Sequence, residues 1–134
     1  MKSIAGIAAA LTILVANLGA ASAGEIRVPY VERAIGDSDS RKFWADTVSS
    51  AGPLGQYAPW ILVGKVNIGG GRTLTVTQMW AGGLCTGKEC PLRIYEGDEL
   101  LVDTYVCDIP EEHRISDDGR MLLACDTAIR TNRR

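Results

Sequence analysis

WILVGKVNI, GGG and RTLTVTQMW run without a break from Trp60 to Trp80, and this stretch decides the fold. In its second half Leu74, Val76 and Trp80 alternate with Thr73, Thr75 and Thr77. A period of two marks a strand with one dry face, set here against a face of threonines. Gly69 to Gly71 lie between the two runs. Glycine enters the positive φ of a tight reversal without a steric penalty, so the segment predicts a β-hairpin. The Lys-Ser or Lys-Thr pair that completes a phosphate-cradling loop does not follow, which argues against nucleotide binding.

Downstream, PLRIY, EGDE and LLVDTYVC predict a second hairpin. Its alternation puts Leu92, Ile94, Leu100, Val102, Thr104 and Val106 on one face, the expected core. Arg93, Tyr95, Leu101, Asp103, Tyr105 and Cys107 fall on the other. SDDGR signals a third turn, between EHRI and MLLACDTAI. Upstream, residues 24–59 are rich in Gly, Pro and Ser and read as a loop-rich segment. Within it only SDSRKFWADTVSS predicts a helix, with Asp39 or Ser40 as cap and Phe43, Trp44, Thr47 and Val48 as its apolar stripe. The flanking GDS and AGPLGQYAP read as loops. Six strands and at most one short helix describe a mainly β, single-domain protein, an antiparallel sheet closed as a barrel or folded as a sandwich.

The first 23 residues read as a secretory signal peptide: Lys2, an apolar stretch from Ile4 to Gly19, and the small-residue cleavage signal Ala21-Ser22-Ala23. An uncleaved anchor is the weaker reading, because Asn17 interrupts the apolar run. The expected location is periplasmic or secreted, with no integral membrane segment after removal of the leader. Of 134 residues, residues 24–134 form the domain; losing Lys2 from 14 basic residues leaves 13 against 16 acidic, a charge of -3. An acidic balance of this kind argues against a nucleic-acid binder, and the basic RTNRR end reads as a solvated terminus.

An exported domain with four cysteines is expected to form two disulfides. The intervals of four, 16 and 17 residues do not match zinc knuckles, and Cys85 to Cys90 is too widely spaced for a thioredoxin-type pair, so no metal or cofactor is expected. Three pairings are open. Cys90 and Cys107 belong to opposite faces of the second hairpin, which favours Cys85 with Cys90 and Cys107 with Cys125. On that pairing CTGKEC is a cinched loop that holds Thr86, Lys88 and Glu89 outward, fixed before any partner arrives.

A disulfide-closed loop with four intervening residues on a small exported β protein is similar to the loop that periplasmic lysozyme inhibitors of the Ivy type insert into the lysozyme cleft. The resemblance covers the six residues from Cys85 to Cys90 and implies a protein partner, a hydrolase with carboxylates in its cleft. That family places a histidine in the loop where this chain offers Lys88, a mobile point charge. The SGxxY signature of the second group of periplasmic lysozyme inhibitors does not occur.

No catalytic motif accompanies these features. His113 is the only histidine, and its place beside a turn predicts an exposed side chain rather than a catalytic base. DSDSRKFWADTV lacks the central glycine and final glutamate of a calcium loop. Arg93, Tyr95, Asp103 and Tyr105 form a polar and aromatic sheet face of the kind partners favour, or else a second packed face or one covered by the N-terminal segment. The leading expectation is therefore a non-enzymatic binding protein, using Thr86, Lys88 and Glu89 with that face, directed at a partner in the envelope or a host hydrolase. Its rivals are a hydrolase using carboxylates such as Glu96 and Asp103, and a structural accessory protein of the envelope with no active site.

Overall fold

A computed structural model describes residues 24–34, 36–50, 60–80 and 83–131. The expected leader at 1–23, the AGPLGQYAP stretch expected as a loop, the Val48 side chain and the last three residues of the basic end lie outside the described residues.

The 60–80 stretch forms the predicted hairpin, β3 (Trp60–Ile68) and β4 (Arg72–Trp80), paired from Trp60 against Trp80 to Ile68 against Arg72. The second hairpin is β5 (Glu89–Glu96) and β6 (Glu99–Cys107). In the N-terminal segment β1 (Glu25–Arg27) and β2 (Val31–Ala34) precede the helix α1 (Ser38–Ser50). After β6 come β7 (His113–Ser116), β8 (Met121–Ala124) and β9 (Thr127–Arg130). The strands make two antiparallel sheets, ordered β2-β3-β4-β5-β6 and β1-β7-β8-β9, with no closed barrel among the described residues.

The main core lies between these sheets. Val66, Ile68, Leu74, Val76, Leu92, Ile94, Val102 and Val106 from the five-stranded sheet meet Ile115, Leu122 and Ala124 from the four-stranded one. The alternation read from the sequence thus points the even positions of β5 and β6 inward, with one correction. The ladder slips between Ile94 and Tyr95, so Ile94 faces Val102 while Tyr95 faces Leu100. Leu101 becomes the extra residue and packs on the core, in the place expected for Leu100.

Part of the other face of the larger sheet is dry as well. Phe43 and Trp44 of α1 cover Ile61, Val63 and Met79, and two residues of the threonine face of β4, Thr75 and Thr77, are buried, with Thr77 accepting a hydrogen bond from Trp44 Nε1 at 2.9 Å, while Thr73 is exposed. The helix occupies the predicted span, but its cap is Asp37, whose Oδ1 accepts from the Ser40 amide at 2.9 Å. At least nine strands replace the expected six. The two N-terminal ones and the division of the last into β8 and β9 carry no alternation long enough to read.

Both disulfides are those the facing of the strands favours, Cys85 with Cys90 and Cys107 with Cys125. The second ties the end of β6 in one sheet to the β8–β9 turn of the other.

Candidate binding site

One end of the larger sheet gathers most of the residues singled out in the sequence. The β4–β5 connection ends in CTGKEC, where Thr86 and Glu89 exchange backbone hydrogen bonds at 2.8 and 3.0 Å around Gly87 and Lys88. Gly87 takes φ 60°, which lets the two-residue reversal close. Thr86, Gly87, Lys88 and Glu89 are all exposed, while Cys90 at their base is buried. This tip is doubly closed, by a backbone bridge and by the Cys85–Cys90 bond.

Its footing is equally fixed. The Asp108 amide donates to the Lys88 carbonyl at 2.9 Å, and Glu89 pairs with Cys107 across the ladder. The Cys107 carbonyl accepts from Gln78 Nε2 at 3.1 Å and from His113 Nε2 at 2.9 Å, so both of its lone pairs are used. Gln78 is itself buried and held through Oε1 by Trp80 Nε1 at 3.1 Å. Strands β4, β6 and β7 therefore converge on one peptide group directly behind the tip. Tyr105, 47% exposed across from Pro91, and Ile109, 43% exposed, extend the tip with an aromatic and an apolar side chain.

His113 corrects an expectation. It is fully buried rather than exposed, packed edge-on to Tyr30 with ring centroids 5.6 Å apart. Burial lowers its proton affinity below the ordinary histidine range and raises that of the Tyr30 hydroxyl. A neutral, doubly bonded imidazole is a structural tie between sheets, consistent with its place behind Cys107.

The polar and aromatic face is divided by the helix. Arg93 is buried, stacked on Trp44 with its guanidinium carbon 4.4 Å from the ring centroid. It donates to the Phe43 carbonyl and to both carboxylate oxygens of Asp46, each at 2.8 Å. That fork holds the Asp46 carboxyl down at about 2 and raises the affinity of Arg93 for its proton. Tyr95 is half-buried and donates to the same Phe43 carbonyl at 3.0 Å. The helix is non-helical at Trp44 (φ -131°, ψ 22°), where these two donors enter its ladder. Arg93 and Tyr95 are thus taken up in seating α1. Asp103 remains exposed with Oδ2 3.4 Å from Arg93 Nε, and Tyr105 remains open.

The carboxylates offered as a hydrolytic pair are each engaged by an arginine, Glu96 by Arg72 at 2.9 Å and Asp103 by Arg93. A shallow cavity of about 280 Å³ opens on the outer side of the smaller sheet, where Arg114 pairs with Glu25 at 3.6 Å. Among the described residues no three His, Cys, Asp or Glu side chains are placed to hold a metal ion, and no helix is long and apolar enough to cross a membrane.

Sequence reasoning found Cys85, Thr86, Lys88, Glu89, Cys90 and Tyr105 at this end of the sheet. It missed the support beneath them, namely Gln78, Tyr30 and His113. A glutamine inside an otherwise apolar and threonine-rich strand was the available signal. No family model, curated protein or solved structure matches this chain.

Proposed function

We propose that this chain is an exported binding protein that docks a protein partner through the Cys85–Cys90 tip, with Tyr105 and Ile109 as the adjoining contact surface. The observation that carries this reading is the contrast between an exposed tip and a locked base: Thr86 to Glu89 face solvent on a footing held by a disulfide, a ladder and the saturated Cys107 carbonyl. A segment ordered before contact loses little conformational entropy on docking. Lys88 and Glu89 supply charges of both signs at the apex, and Tyr105 is of the residue type that anchors interfaces.

The partner we favour is a hydrolase with carboxylates in an open cleft, of the lysozyme kind, in the envelope or from a host. Lys88 would meet the carboxylates while the narrow tip enters the cleft. The test is inhibition and direct binding with purified lysozymes and cell-wall hydrolases. The double variant K88A/E89A should weaken binding at least tenfold while leaving the unfolding midpoint within about 2 °C of wild type. Hydrolase activity unchanged by excess protein, with no binding by calorimetry, overturns the hydrolase as partner.

A further inference from the structure

We propose that the Ala23–Gly24 peptide bond is the one cut on export and that Asp117 is the built receptor for the α-ammonium group created there. The inference shares the export premise of the proposed function but concerns a different site. Gly24 leads into β1, and its backbone nitrogen donates to Asp117 Oδ2 at 2.9 Å. Its carbonyl accepts from the Asp117 amide at 2.7 Å. One residue of the β7–β8 turn thus grips both polar groups of Gly24, and the ladder continues with Glu25 against Ser116.

The charges around the contact lack one partner. Asp118, next in the turn, is engaged by the Ser116 hydroxyl at 2.6 Å and the Arg120 amide at 3.0 Å, and Glu25 is paired with Arg114. Among the described residues Asp117 enters no ion pair; its carboxylate meets only the Gly24 nitrogen. Hydrolysis of the Ala23–Gly24 bond by a leader-removing endopeptidase consumes one water, leaves a carboxylate on Ala23, and converts that nitrogen from an amide to an amine. At neutral pH the amine is mostly protonated. A cation then appears at the atom already in contact with this exposed carboxylate, as a charge-assisted bond in place of a neutral donor. Removal of the leader and stabilisation of the domain are coupled through this one atom.

The experiment begins with the intact mass and first residue of the exported protein, expected to start at Gly24. In that mature chain D117N should lower the unfolding midpoint at neutral pH by about 2–4 °C, the size of an exposed ion pair in a domain of this length. In a chain with one additional alanine before Gly24, where the nitrogen is again an amide, D117N should cost less than half as much. Acetylation of the mature amine should reproduce the D117N loss and add nothing to it. A mature start at another residue, or equal losses in the two chains, overturns the latch and leaves the export reading standing. A leader that is never removed overturns both.

Discussion

The Tyr30 hydroxyl lies 2.7 Å from Nδ1 of His113 and so fixes the imidazole in one neutral form. His113 Nε2 faces the Cys107 carbonyl, which only accepts, so the ring hydrogen sits on Nε2 and Nδ1 receives the Tyr30 proton. Burial holds the folded pKa below the ordinary 6.5, against the opposing pull of Glu111 and Glu112. The unfolded chain therefore binds a proton that the folded one refuses. Stability is fully present above about pH 6.5 and declines as pH falls below it. Thermal unfolding followed from pH 8 to pH 5 should show a flat midpoint and then a drop. The H113Q variant should lose that drop, at a cost of about 1–3 kcal/mol at neutral pH for the disturbed bonds.

Arg93 joins α1 to the sheet, and its replacement should loosen the helix first. R93A is expected to cost about 2 kcal/mol and R93K somewhat less, since lysine keeps the charge but not the fork that meets both Asp46 oxygens. Hydrogen exchange should locate the loss in α1 while β5 and β7 stay protected. The Asp46 carboxyl, held down to about 2, adds a second acid limb: its contribution is present above about pH 4 and is lost as pH falls toward 2. Because that carboxylate is largely exposed, the limb is worth under about 1 kcal/mol, and D46N should remove it.

The two disulfides should separate cleanly by role. Closing the short Cys85–Cys90 loop contributes about 2 kcal/mol, and the longer Cys107–Cys125 loop about 3 kcal/mol, by the entropy of loop closure. Denaturant titration of C85S/C90S should show the smaller loss, and binding by that variant should weaken more than its stability does. C107S/C125S should show the larger loss, with both sheets affected.

Gly64 marks where the N-terminal segment crosses β3. A Cβ there would come within 2.5 Å of Val28 Cγ1 and 3.4 Å of the Pro29 backbone. G64A should therefore destabilise by about 1–3 kcal/mol through overpacking. Trimming the opposing side chain tests the cause: the losses of V28A and G64A, measured together, should fall short of their sum.

Much of this architecture was written in alternation and spacing. Nine-residue strands such as β3, β4 and β6 repeat the pattern often enough to set faces, and the faces of Cys90 and Cys107 then favoured the observed disulfides. The span of α1 was equally plain. Strands β1 and β2 were not legible, because three or four residues with little burial carry no period; backbone pairing holds them. The β8–β9 turn was hidden too, since Cys125 takes φ 53° where a glycine or asparagine would have announced it. At the candidate site the exposed tip could be read directly from CTGKEC. Cover of Arg93 by the N-terminal segment was one of the open readings, but its partner Asp46 is 47 positions away on another element, and alternation says which face a residue occupies without saying what lies over it.

The single helix laid over Ile61, Val63 and Met79 has a further consequence. Leu84 packs beside it on the same cluster, and Arg93, the Trp44 indole and the Tyr95 hydroxyl help to fasten it. Were it to lift, Ile61, Val63 and Met79 would lie bare, and an uncovered apolar sheet face of that kind invites stacking against a second copy.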